Sequence, residues 1–91
     1  MKKFEWNQRK NIWLKRERDI SFEEIVFAIE NGYLLDEMEH PSKRNQRLLI
    51  VYSKDYVHVV PYVKGEGDSI FLKTIIPSRK AYRKYLGGTL K

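Results

Sequence analysis

The hydrophobic pattern of the chain changes period near residue 33. Before that point Phe22, Ile25, Val26 and Ile29 recur at the spacing of one helix face, and Gly32 follows as a helix-stopping residue. Ser21-Phe22-Glu23-Glu24 is a capping box, in which the serine side chain and the glutamate three residues on satisfy each other's free backbone donors. An earlier helix is predicted from the capping residue Asn7 to about Arg16, although Ile12, Trp13 and Leu14 make a poor stripe. Phe4-Glu5-Trp6 alternates like a short edge strand.

Beyond residue 33 the runs shorten and read as strands. Tyr33 to Glu39 is a weak one and Leu48 to Tyr52 a strongly apolar one. Ser53-Lys54-Asp55 turns the chain into Tyr56 to Val63, and Gly65-Glu66-Gly67-Asp68 turns it into Ile70 to Ile76. Three successive runs joined by tight turns predict an antiparallel meander. Pro61 cannot donate a ladder hydrogen bond, so its strand is expected at an edge or bulged there. Pro77 breaks the last strand, and Ser78 caps a final helix expected to stop at Gly87-Gly88. The predicted class is α+β: two N-terminal helices, an antiparallel sheet of four to five strands, and a short basic C-terminal helix.

Length adds that residues 1–91 form a single domain with a modest core. No apolar stretch approaches the ~20 residues of a membrane-spanning helix, and the charged start lacks the apolar run of a signal peptide. A cytoplasmic protein with no membrane partner is therefore expected. There is no cysteine, which removes disulfide frameworks and cysteine zinc sites.

Charge changes the picture more. Residues 1–72 balance 12 Lys and Arg against 12 Asp and Glu, whereas Lys73, Arg79, Lys80, Arg83, Lys84 and Lys91 follow with no acid, so the whole net charge of +6 lies after residue 72. Residues 19–39 are the converse, with Asp19, Glu23, Glu24, Glu30, Asp36, Glu37 and Glu39 and no cation. A basic end beside an acidic middle fits a polyanion held in one orientation, or two solvated faces that segregate by sign. In the final helix Arg79 and Arg83 share a face, as do Lys80 and Lys84. Such pairs can hold backbone phosphates while Tyr82 or Tyr85 stacks on a base or packs on the sheet.

His58 alternates with Tyr56, Val60 and Tyr62, which predicts a structural histidine on a sheet face. His40 lies in the polar loop that ends at Arg47, where it can serve as acid or base toward a phosphodiester, or simply as an exposed side chain. No phosphate-cradling loop, nucleophile elbow or calcium-loop spacing is present, and no metal or other cofactor is expected.

Phe4-Glu5-Trp6-Asn7, Lys10-Asn11 and Ile20-Ser21-Phe22-Glu23-Glu24 resemble the opening of the BrnT-like toxins. Ile75-Ile76-Pro77-Ser78-Arg79-Lys80-Ala81, with Tyr85, is similar to that family's closing signature, typically Ile-Ile-Ser-Ala-Arg-Lys-Ala. The resemblance runs in order along nearly the whole chain. It implies a RelE-like fold and a metal-independent endoribonuclease toxin of a type II toxin–antitoxin pair. The implied partners are RNA, free or ribosome-associated mRNA, and a cognate DNA-binding antitoxin. Carried over, it matches His40 to the family's loop histidine, Arg47 to an arginine at the start of a strand, and Arg79 and Lys80 to its helix-start cations. Together with the basic helix, the expected site has His40, Arg47, Arg79 and Tyr82 as catalytic side chains and Lys73, Lys80, Arg83 and Lys84 as RNA contacts. The sequence departs from the family where Glu17-Arg18-Asp19 replaces a usual Lys-His-Gly, and where Thr74 and Pro77 replace a strand arginine and a strand-end serine. A non-catalytic RNA- or ribosome-binding domain on the same fold is the alternative.

Overall fold

Asn7 opens the first helix by accepting the Lys10 N–H on its side-chain oxygen at 3.0 Å. Helix α1 (Gln8–Arg18) ends where Asp19 takes a left-handed conformation, φ 55°. Helix α2 (Phe22–Glu30) carries the predicted capping box: Ser21 Oγ accepts from Glu24 N–H at 3.1 Å, and the Glu24 carboxylate accepts from Ser21 N–H at 2.8 Å. The two helices are tied by a buried asparagine. Asn11 donates to Glu23 at 2.7 Å and accepts the Phe22 N–H at 2.8 Å, so the weak apolar stripe of α1 is supplemented by a polar bridge. A computed structural model describes residues 3–87; Gly88 and Lys91, expected as a helix stop and as part of the basic end, lie outside the described residues.

Gly32, at φ +90°, turns the chain out of α2 into the strands, a conformation in which a side chain would be strained. Strands β2 (Leu34–Glu39), β3 (Arg47–Ser53), β4 (Tyr56–Lys64) and β5 (Ser69–Leu72) form the predicted antiparallel meander. Two features differ from expectation. Strand β1 (Lys3–Trp6) joins β5 in parallel, giving the order β1-β5-β4-β3-β2 and a mixed sheet. The run from Ile70 to Ile76 is also broken, because β6 (Ile76–Pro77) separates from β5 and pairs further along β4. The described sheet thus has six strands.

Pro61 explains the break and is itself a correction. It lies in β4, a central strand, opposite Leu48 of β3. The Lys73 N–H donates to Pro61 O at 2.7 Å, so the Pro61 carbonyl, and with it the proline nitrogen, points away from β3. The missing donor therefore falls between β5 and β6, where residues 73–75 leave the ladder. An edge position was unnecessary, since a gap in the neighbouring strand serves the same end.

The alternation of β3 and β4 sends Leu49, Val51, Val60 and Tyr62 to one face, under Leu14, Phe22, Ile25 and Ala28 of α1 and α2. Trp6 stacks on Phe22 there, with ring centroids 5.5 Å apart. The other face, with Ile50, Val57, Leu48 and Val59, is covered by Ala81, Tyr82, Tyr85 and Leu86 of helix α3 (Arg79–Leu86). Ser78 caps that helix as predicted, accepting the Ala81 N–H at 3.0 Å. No described helix is long and apolar enough to cross a membrane.

Candidate functional site

The connection from β2 to β3, residues 40–46, closes on itself. His40 N–H donates to Gln46 O at 3.2 Å, and Gln46 N–H donates to Lys43 O at 3.2 Å. The His40 ring is held by two backbone donors, since Nδ1 accepts from Ser42 N–H and Lys43 N–H, each at 3.1 Å. An imidazole nitrogen that accepts carries no proton, so in this arrangement the proton resides on Nε2. His40 is thereby a hydrogen-bond donor at Nε2, not a ready base. Beside the loop opens a cleft of about 560 Å³, bordered by Glu39, His40, Lys43, Arg44 and, on the sheet side, Arg47, Tyr62 and Lys64.

Arg47 begins β3 and is paired across the sheet with Glu39 on β2 and Tyr62 on β4. Its Nε donates to Glu37 Oε2 at 3.3 Å, and the same oxygen accepts the Tyr62 hydroxyl. Hydrogen bonding to Tyr62, then to Glu37, raises the Arg47 pKa further above its ordinary value. The Tyr62 phenol is pushed up chiefly by burial, then by its bond to Glu37. Both groups keep their protons under all ordinary conditions, which makes Arg47 a fixed cation and Tyr62 a fixed donor.

Helix α3 lies on the opposite face of the sheet from the Arg47 side chain, which shares the side of Leu49 and Val51. Arg79, Lys80, Arg83 and Lys84 are all exposed. Its aromatic residues are anchors: Tyr82 stacks on Tyr56 with centroids 5.1 Å apart, and the Tyr85 hydroxyl donates to Asp36 at 2.6 Å. That bond is the main cause of a raised Tyr85 pKa and of an Asp36 carboxyl held below its ordinary value. Between α3 and the sheet runs a groove of about 300 Å³ with an apolar floor of Met38, Leu48, Ile50 and Val59 and a rim carrying Lys80 and Lys84. Glu39 and Pro41 border both groove and cleft, so the two cavities adjoin around the end of β2.

The structure therefore brings His40 and Arg47 together and puts Lys80 and Lys84 next door. Arg79, Arg83 and Lys73 line neither cavity. Lys73 instead lies over the Phe71 ring, 5.7 Å from its centroid. Tyr82 is half-buried in the α3 contact, away from the cleft. Sequence reasoning passed over Tyr62, Lys64, Lys43, Arg44 and Glu37. The signal for Tyr62 was present in its alternation with His58 and Val60, but nothing local reveals that its strand neighbour is Arg47. His58 is the predicted sheet-face histidine: its Nε2 lies 3.0 Å from Ser53 O, and its Nδ1 is buried with no partner. Burial lowers its pKa, against a smaller opposing effect of the Ser53 carbonyl. No group of three or more His, Cys, Asp or Glu among the described residues is placed to hold a metal ion.

A three-layer α/β/α arrangement with a mixed sheet and a cationic cleft at one sheet end describes the class of fold. Among solved structures, it is similar to the crystal structure of the Brucella abortus ribonuclease toxin BrnT. The two match with a TM-score of 0.63 at 14% sequence identity, over 86% of this chain and 96% of that one. The chain has a BrnT-like fold. No family model matches the sequence, and no curated protein matches it either.

Proposed function

We propose that this chain is a ribonuclease toxin that cuts RNA in the cleft beside the 40–46 loop without a metal ion. The observation that carries the reading is the meeting of His40, Arg47, Lys43, Arg44 and Lys64 around one open cleft on a BrnT-like fold. A phosphodiester there is surrounded by cations that can take the charge of a pentacoordinate phosphorus. Arg47 is the fixed cation. His40, carrying its proton on Nε2, donates a hydrogen bond to the phosphate or the leaving oxygen. Glu39, the one carboxylate on the cleft wall among the described residues, accepts the proton of the RNA 2′-hydroxyl. The 2′ oxygen then bonds to phosphorus, the bond to the 5′ oxygen breaks as that oxygen takes a proton from solvent water, Glu39 returns its proton to solvent, and the products are a 2′,3′-cyclic phosphate and a 5′-hydroxyl. Lys80 and Lys84 on the adjoining groove, with Arg79, Arg83 and Lys73 beyond, hold flanking phosphates. The setting is the bacterial cytoplasm, the substrate mRNA, free or on the ribosome, and the partner a DNA-binding antitoxin that covers the cleft.

Incubating purified protein with RNA in the presence of a chelator tests this. The expected result is discrete fragments ending in cyclic phosphate, with rates falling about 100-fold or more in E39Q and R47A. A second reading, an RNA- or ribosome-binding domain without catalysis, is favoured by Thr74 and Pro77, which stand where the resemblance implies an arginine and a serine. RNA that is bound tightly and stays intact would decide for it.

A further inference from the structure

We infer that Glu37 is a positioning residue for Arg47: it grips the guanidinium through Nε from behind the cleft, so that the two terminal amines present end-on to an RNA phosphate. The inference rests on the RNA-binding reading above.

Three adjacent strands place the groups on one sheet face. Glu37 on β2 is opposite Leu49, two residues along β3 from Arg47, and Tyr62 on β4 is directly opposite Arg47. Arg47 and Tyr62 border the cleft, whereas Glu37 does not. Glu37, itself exposed, instead lines a separate small pocket with Phe4, Ile29, Leu49, Tyr62 and Ile70. Its Oε2 takes both the Arg47 Nε–H and the Tyr62 hydroxyl. A carboxylate held by a tyrosine on a central strand has little freedom, and it confers that restriction on Arg47. An arginine can meet a phosphate side-on through Nε and one terminal amine, or end-on through both terminal amines. Because Nε is occupied, the end-on fork is the one left for the cleft. An arginine at the first residue of a strand, with its side chain about two-fifths exposed, would otherwise sample many rotamers before binding.

Deleting a negative charge beside a polyanion site ordinarily tightens binding. If Glu37 positions Arg47, then E37A weakens binding instead. Affinity for a short fluorescein-labelled single-stranded RNA is measured across a salt series for wild type, E37A, E37Q and R47A. The expected result is that E37A loses about five- to tenfold, with the log–log salt slope reduced by about 0.7 as in R47A, and that E37Q, which still accepts both hydrogen bonds, rescues affinity and slope. A thermal melt of each variant separates this from partial unfolding. Tighter or unchanged binding by E37A, with RNA bound by wild type, overturns the positioning role and leaves the RNA reading standing. Absence of RNA binding by wild type overturns the RNA reading itself. An NMR measurement supplies a readout without RNA: the Arg47 Nε–H should exchange slowly with water in wild type and E37Q and fast in E37A. Equally fast exchange in all three would sink the inference whatever RNA does.

Discussion

The rings of Tyr56 and Tyr82 lie 5.1 Å apart at an interplanar angle of 22°, which ties α3 to the start of β4. An offset aromatic stack of this kind contributes about 0.5–1.5 kcal/mol beyond simple burial. The ring of Tyr82 therefore serves the placement of the helix, which predicts that its hydroxyl is dispensable. Y82F should retain RNA cleavage and stability, whereas Y82A should lose about 2 kcal/mol in urea denaturation, with activity falling in step. A large loss of cleavage in a stably folded Y82F would return the phenol to the chemistry.

Asn11 carries more of the fold than its polarity implies. It is 1% exposed and spends both ends of its amide on Glu23 and the Phe22 N–H. Replacing it with alanine strands the Phe22 donor between two helices, at a cost of about 1–3 kcal/mol. N11L, which restores bulk but no acceptor, should be no better. Equilibrium unfolding of the two variants checks this, and full recovery in N11L would show that packing alone mattered.

His58 should make the protein acid-sensitive. Burial holds its folded-state pKa below that of an unfolded histidine. As pH falls below about 6.5 the unfolded chain takes up a proton that the folded one refuses, so folding stability declines with acidification. Above that pH the effect vanishes. Melting temperatures of wild type and H58Q, compared from about pH 7.5 to 5.5, should diverge in slope, with the H58Q curve the flatter. Parallel curves would mean that His58 titrates alike in both states.

The lysines on the groove rim should act through salt. If Lys80 and Lys84 each neutralise a phosphate, K80Q and K84Q lower the slope of log affinity against log salt by about 0.7 apiece for single-stranded RNA. The apolar groove floor of Leu48 and Ile50 is untouched by these changes. An unchanged slope with weaker binding would indicate a contact other than phosphate.

What the sequence disclosed divides by the range of the interaction. Asn7, the Ser21–Glu24 box, Gly32 and Ser78 act within four residues, and all stand where they were expected. The meander was equally readable, because its turns join strands adjacent in the chain. The parallel pairing of β1 with β5 was not, since nothing near Phe4 specifies a partner near Ile70. The division of residues 70–76 was hidden for a related reason: it is imposed by Pro61, on another strand. The site shows the same pattern. His40 and Arg47 were visible as chemistry in one loop, but their surroundings come from strand register. The basic helix, conspicuous by charge, shares only Glu39 and Pro41 with the cleft through its groove.

The union of β1 with β5 bears on how the protein is born. During synthesis Lys3–Trp6 emerges well before its sheet partner, Ser69–Leu72. Until then Trp6 and Phe4 have no strand beside them, and the layer formed with α1 and α2 stays open at that side. Until residues 69–72 have emerged, a ribosome-bound nascent chain therefore holds this sheet unclosed. On the reading proposed above, a finished nuclease waits until Ser69–Leu72 has been made.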